Sequence, residues 1–233
     1  MKVGMMQPYL FPYLGYFQLV NAVDVFIFAD DVNFMKGGFV NRNKILFHQE
    51  ERYVTVPCVQ SQNRLIKEIP IFKEAKRYPK NILRTIQQTY AKAPFYRDVF
   101  PIIESIFNSD VDSISTLASY SVELVSKYLK INVNFKFSAA SFNHTKGQEK
   151  SIRLINITKE LGGDTYVNPI GGKKLYDKEF FENQGIKLVF LESEAITYPQ
   201  FHENFIPNLS IIDVIMFNSK EDVNKLLNKY RLL

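Results

Sequence analysis

Cys58 is the sole cysteine in 233 residues, so the chain forms no internal disulfide and suits a reducing compartment. The three histidines, His48, His144 and His202, do not stand at metal-ligand spacing, and with one cysteine they assemble no zinc framework. No metal site is expected. No apolar run is long enough to span a bilayer, which argues against membrane insertion. No run of five basic residues occurs, so no stable nucleic-acid complex is expected. The GxSxG, Walker and GxGxxG patterns are missing, as are internal repeats and low-complexity linkers.

Tryptophan is also absent, and the aromatic content rests on thirteen tyrosines and twenty phenylalanines. Such rings serve both packed cores and sites that stack sugars or bases. At 46% hydrophobic and 23% charged, the chain has the make-up of a globular protein able to bury a sizeable core. A single α/β domain over residues 1–233 is the expectation. The net charge of +5 fits an anionic partner such as a nucleotide or sugar phosphate, or equally a lysine-rich solvated surface. The opening MKVGMMQPYLFP is interrupted by Pro8 and Pro12 and followed by no small-residue cleavage site. It reads as part of the fold, and with a single cysteine a cytoplasmic location is the expectation.

Lys2 to Met6 reads as a short apolar strand. Pro8 and Pro12 make residues 7–14 a shaped loop, because neither tolerates a ladder or a helix interior. Phe17, Leu19, Val20 and Val23 then suit a helix packed on a sheet, and Asp24 to Phe28 a second buried strand. This is the βαβ signal of a parallel sheet. Phe39–Phe47 and Tyr53–Cys58 predict a β-hairpin turning through His48 to Arg52. A helical insertion is expected at about 73–130, in three stretches near 73–93, 95–108 and 113–130. Strands follow at 132–139, 165–167 and 187–191, with helices at 149–161, 173–184 and 222–230.

Four constellations carry polar chemistry. In Gln7-Pro-Tyr-Leu-Phe-Pro-Tyr-Leu-Gly-Tyr16, the loop after the first strand offers Gln7, Tyr9, Tyr13 and Tyr16, while Gly15 lets a ligand approach the helix start. Packing of this aromatic loop in the core is the structural alternative. Asp30 and Asp31 end the second strand and can bind a divalent metal, hold a ribose or amine, or act as a base. Lys36, Asn41, Arg42 and Asn43 follow them with hydrogen-bonding and positive groups, against the alternative of turn and hairpin capping. Asn168, Gly171 and Gly172 lie where a strand runs through NPIGG into a helix, a phosphate-cradling order or a plain tight turn. In the fourth, Tyr198-Pro-Gln-Phe-His202 followed by Pro207 to Asp213, Ser210 reads as a helix cap, and Asp213, among Ile211, Ile212, Val214 and Ile215, as a buried, paired acid that orients a site residue.

Four blocks, QPYLFPYLGYFQL, DVFIFADDVNFMKGGFVNRNKIL, GGDTYVNPIGGKKLYDKEFFENQGIKLVF and YPQFHENFIPNLSIIDVIMFNS, make the chain similar to the WbqC-like family from end to end. The resemblance implies a role in building O-antigen or related bacterial surface polysaccharide, by transfer of glycine or a similar acyl group to an amino sugar. More distantly, the first block resembles the nucleotidylyl-transferase fold, in which a strand leads to an HxGH motif at a helix start. Here Pro12-Tyr-Leu-Gly15 takes that place without either histidine, which weakens the case for adenylyl chemistry. The fold expected is therefore a Rossmann-like parallel α/β sheet with a helical insertion and a β-hairpin.

These implications combine into an expected aminoacyl or acyl transferase. Asp30, Asp31 and Lys36 would be its catalytic groups, and Gln7, Tyr9, Tyr13, Gly15, Tyr16, Asn41, Arg42, Asn43, Asn168, Gly171 and Gly172 its binding groups. The substrate would be a nucleotide-linked amino sugar, with ATP the cofactor to test and homo-oligomerisation left open. The alternatives are a nucleotidylyl transferase acting on a sugar phosphate and a non-catalytic protein of the polysaccharide assembly machinery.

Overall fold

The structure, a computed structural model, describes residues 1–48, 50–59, 63–75, 77–201 and 204–233. His202, weighed above as a possible ligand, lies outside the described residues. The elements run β1 (Lys2–Met6), α1 (Leu14–Ala22), β2 (Val25–Phe28), β3 (Arg42–Phe47), β4 (Glu50–Thr55), α2 (Lys80–Tyr90), α3 (Tyr96–Phe107) and α4 (Ile114–Tyr128). They continue with β5 (Asn134–Phe137), α5 (Ser138–Ser141), α6 (Lys150–Glu160), β6 (Thr165–Pro169), α7 (Lys178–Asn183), β7 (Lys187–Ser193), α8 (Ile211–Phe217), α9 (Lys220–Leu227) and β8 (Tyr230–Leu232).

Six strands form one sheet in the order β5-β2-β1-β6-β7-β8. The first five are parallel, and β8 pairs antiparallel with β7. The protein thus has a mixed α/β, Rossmann-like fold, with β3 and β4 set apart as an antiparallel hairpin. Strand periodicity divides the core into two layers. Val3, Met5, Val25, Ile27, Tyr166, Leu188 and Phe190 face one way and pack with α6 and α7. Their alternates Phe26, Phe28, Val167, Val189 and Leu191 face the other way, toward α1, the α2–α4 block, α8 and α9. Runs apolar on both faces are what a parallel sheet covered on both sides requires.

Several boundaries differ from the sequence reading for local reasons. The helix expected from residue 73 begins only at Lys80, directly after Pro79, whose ring and missing N–H suit the start of a helix and no later position. The strand expected to reach residue 139 stops at Phe137, and Ser138 opens the short α5. The hairpin turn is tighter than expected, since Glu50 to Arg52 already pair with Ile45 to Phe47. The helix expected at 173–184 divides into a 3-10 turn over Ile170–Lys174 and α7, which Asp177 caps through Glu179 N at 3.0 Å. The last helix ends at Leu227, and Tyr230–Leu232 instead covers the free edge of β7 as a strand. As expected, Ser210 caps α8, accepting from Ile212 N at 3.2 Å.

Candidate functional site

From β1 the chain moves outward to β2 and β5 on one side, then returns to place β6 and β7 on the other. The neighbours β1 and β6 therefore mark the point where the winding reverses. In open parallel sheets the crevice beyond the strands' carboxyl ends opens at such a point. Along that edge stand in turn the start of α5 after β5, Asp30 and Asp31 after β2, Gln7 after β1, Asn168 in β6 and Ser193 ending β7.

Asp30 and Asp31 knit the β2 end to its neighbours. Ser138 Oγ donates to Oδ1 of Asp30 at 3.1 Å and to Oδ1 of Asp31 at 2.5 Å, and Ala139 N donates to Asp30 Oδ1 at 2.9 Å. Arg153 on α6 grips Asp31 with Nη2 at 2.5 Å and Nη1 at 3.3 Å, while its Nε donates to Thr145 Oγ1 at 3.0 Å. The Asp31 side chain has no exposure and that of Arg153 only 13%. Burial pushes the Asp31 carboxyl up, but the hydrogen bonds from Arg153 and Ser138 and the guanidinium charge outweigh it and hold it below its ordinary value. A carboxylate so sealed and so acidic is a poor proton acceptor. What it does well is fix Arg153.

The loop after β1 divides into a buried middle and a partly open end. Leu10, Phe11 and Pro12 are buried, and Phe11 takes a left-handed φ of 41°. Buried backbone of this kind needs a partner for every polar group. Asn43 Nδ2 donates to the carbonyls of Leu10 and Phe11 at 3.0 and 2.9 Å, and Ser210 Oγ to that of Phe11 at 2.7 Å. Leu10 N donates to Phe39 O and Phe11 N to Ser121 Oγ.

Where this loop enters α1, a cleft of about 470 Å³ opens at the carboxyl end of β7. Its walls include Tyr13 and Gly15 on one side, Ser193 to Tyr198 on another, and Phe205 and Asn208 on a third. A Cβ on Gly15 would sit 2.8 Å from the Tyr13 ring and 3.1 Å from Ser193 Oγ, so glycine keeps the helix start clear there. Tyr198 is held in place. Gln200 Nε2 donates to its hydroxyl at 3.1 Å and to Asp213 Oδ2 at 3.0 Å, and the phenol also hydrogen-bonds Asp213. Tyr90 donates to Asp213 Oδ1 at 2.8 Å, completing a fully buried acid that burial pushes up against these hydrogen bonds. Burial and the neighbouring Asp213 push the Tyr198 phenol far above its ordinary value, so it remains a donor.

With this geometry in view, comparison with known proteins is direct. The WbqC-like protein family model matches residues 7–225. The chain belongs to the WbqC-like protein family. It is also 26% identical over 220 residues to the uncharacterized protein Rv1507c of Mycobacterium tuberculosis, covering 93% of each chain. No solved structure matches it.

In this WbqC-like protein the residues singled out from sequence fall into separate places. Tyr13 and Gly15 line the cleft. Tyr16 is buried, stacks near Tyr9 with 5.7 Å between centroids, and donates to Gln7 O at 2.9 Å. Tyr9 is half-buried between Tyr16 and Phe39, and burial raises its phenol. Asn41 and Asn43 spend their side-chain amides on buried carbonyls, Asn41 on Val56 O at 3.0 Å. Arg42 donates to the carbonyls of Gly37 and Gly38 and lies 4.2 Å from the Tyr53 ring centre, while Lys36 on the same loop is exposed. Asn168 is buried at the end of β6, with Gly172 packed against it and Gly171 facing open space.

Two groups escaped the sequence reading. Ser138 and Arg153 bind the acid pair from 107 and 122 residues away, and no local pattern announces them. The lining from Ser193 to Thr197 and at Phe205 lies just beyond β7, so the rule that ligands meet strand carboxyl ends points to it, and Tyr198 belongs to the fourth constellation. Among the described residues no group of three or more His, Cys, Asp or Glu side chains is arranged to hold a metal, and no helix is long and apolar enough to cross a membrane.

Proposed function

We propose that this WbqC-like protein is a transferase that forms an amide by placing glycine or a similar acyl group on the amine of a nucleotide-linked amino sugar, in the synthesis of bacterial surface polysaccharide such as O-antigen. One observation carries the reading: the cleft at the carboxyl edge of β7, beside the first turn of α1, combines three aromatic rings with hydroxyl and amide groups and one carboxylate. Aromatic faces accept the C–H side of a sugar ring, and hydroxyls and amides match its rim. In amide formation the bound ammonium first loses a proton, and the free amine then attacks the acyl carbon. It displaces the group that activates that carbon (the ester oxygen of the tRNA in glycyl-tRNA), and the nitrogen sheds a second proton. Holding the reactants together supplies much of the acceleration.

The acid pair contributes to this reading as scaffold. Asp31 anchors Arg153, and Asp30 ties the end of β2 to the start of α5. In this reading Gln7, just after β1, and Asn168, in β6, position the acyl donor, and Lys36 on the exposed loop meets a phosphate. ATP does not fit the cleft itself, because no lysine or arginine lines it among the described residues. No step is assigned to ATP.

The test is a mass assay. The protein is incubated with a panel of nucleotide-linked amino sugars and either glycine with ATP or glycyl-tRNA, and the products are searched for one added glycyl unit. Product from either donor supports the transferase. No product across the panel with both donors overturns it.

A further inference from the structure

We infer that the cleft is an amine-recognition subsite in which the Glu194 carboxylate receives the ammonium group of an amino sugar packed against Tyr13, Tyr198 and Phe205. This deepens the reading above and rests on it for the identity of the ligand as a sugar.

The charge of the walls selects the ligand class. Glu194 is the one ionisable carboxylate or cation among the described lining residues, and it is exposed, with no hydrogen bond or ion pair from its side chain to another described residue. Two cations lie on the adjoining strand end: Arg231 pairs with Glu192 at 2.7 Å, and Lys229, whose carbonyl accepts from Glu194 N at 3.1 Å, forms no ion pair with the Glu194 side chain. A phosphate or carboxylate ligand would meet a bare negative charge here, whereas an ammonium would gain a charge-assisted hydrogen bond.

The apolar walls select the shape. Tyr198 and Phe205 meet edge to face with 5.1 Å between centroids, and the Tyr198 hydroxyl is tied to Gln200 and Asp213. Gln200 also donates to Ile206 O at 3.0 Å and accepts from Ile206 N at 2.9 Å, so Tyr198, Gln200 and Ile206 are tied together before a ligand arrives. Such bracing lowers the entropy cost of binding. Ser193 donates its proton to Gln18 Oε1 at 2.6 Å, which leaves its oxygen as an acceptor for a sugar hydroxyl. Thr197 and Asn208 add further polar groups on the same walls. Glu194 thus acts as a specificity-determining residue: it tells a sugar carrying a free amine from one whose amine is already acylated.

Saturation-transfer NMR or equilibrium dialysis on the full chain tests this, with 2-, 3- and 4-amino hexosides, their N-acetyl counterparts and the parent neutral hexosides as probes. At least one amino hexoside is expected to bind roughly tenfold more tightly than its N-acetyl and neutral partners, the effect of one charge-assisted hydrogen bond. Glu194→Gln should abolish that preference while leaving neutral sugars unaffected, and Glu194→Lys should reverse it. Because Glu194 is exposed and unpaired, neither variant should change the unfolding midpoint. Equal binding of amino and acylated sugars, no binding by any probe, or a preference that survives Glu194→Gln overturns the subsite. No acyl donor is needed, so the two readings fail separately. Amine-selective binding without glycyl transfer overturns the transferase alone, and transfer that is indifferent to Glu194 overturns the subsite alone.

Discussion

Replacing Arg153 with methionine isolates the cost of the Asp31 carboxylate. In the native protein the Asp31 side chain has no exposure, and the two guanidinium hydrogen bonds at 2.5 and 3.3 Å offset its lost hydration. Methionine keeps most of the volume and removes the charge. Ser138 remains as a donor, so Asp31 is left with hydrogen bonding but no counter-charge. Removing one partner of a buried ion pair costs about 3–5 kcal/mol, and the surviving serine places the expectation near the lower end. The pH dependence follows from the sign of the shift. In the native protein Asp31 titrates below its ordinary value, so its contribution is present above about pH 3.9 and is lost as pH falls through the folded value. In the variant, burial is the largest influence and is opposed only by the serine and backbone hydrogen bonds, so the carboxyl rises. Its contribution is then present below about pH 3.9 and lost as pH rises through the raised folded value. The penalty should therefore be largest near neutrality and shrink toward about pH 4. Urea unfolding of both proteins across that range measures it, with m checked for constancy. Arg153→Met combined with Asp31→Asn should recover part of the loss at neutral pH, since no buried charge is then stranded. A neutral-pH penalty below about 1 kcal/mol, or one that grows on acidification, would refute the argument, because a buried ion pair cannot behave that way.

Two further outcomes are expected. A Cβ on Gly172 would stand 1.8 Å from Asn168 Nδ2 and 3.0 Å from its Cγ, so Gly172→Ala should displace that side chain and cost about 1–3 kcal/mol. Gly171→Ala projects into open space and should stay within about 0.5 kcal/mol; equal urea midpoints for the two variants would contradict the packing. Burial pushes the Cys58 thiol up to about 11, so iodoacetamide should alkylate it at pH 8 on the order of a hundredfold more slowly than free cysteine, a rate that mass spectrometry follows and that an ordinary value would disprove.

Local physics made much of the sheet readable in advance. Pro8 bounds β1, the apolar run of β2 ends at two acids, and Ser210 stands one residue before a hydrophobic stretch as a cap should. The failures have causes too. A tail strand of three residues carries no periodicity, and only the open edge of β7 turns Tyr230–Leu232 into β8. Asn41 and Asn43 looked like ligands because an asparagine that satisfies buried carbonyls has the same sequence signature as one that binds substrate. Tyr13 and Gly15 were readable as cleft residues because they follow a strand and open a helix. Their counterparts across the cleft come from Ser193 to Asn208, and nothing in either segment names the other. Asp31 was visible as an acid at a strand end, but its chemistry belongs to Arg153, which only the packed α6 brings near.

The placement of β1 has a consequence for how the protein is made. Its Val3 pairs with Val25 on one side and Tyr166 on the other, so a strand made well before its partner β6 is central to the finished sheet. The ribosome can supply β2 promptly, but β6 emerges only after residue 165. Until then a half-sheet of β5, β2 and β1 carries an unpaired apolar edge, the surface on which strands of other chains can dock. The α1 helix waits longer still. Gln18 sends its amide to the carbonyls of Leu226 and Lys229 and receives Ser193, groups that lie 208, 211 and 175 residues further along the chain. Contacts this distant make for slow folding. The nascent chain should therefore depend on chaperones that shield that edge, and substitutions at Gln18 should appear as aggregation during synthesis before they appear as lost stability in the finished protein.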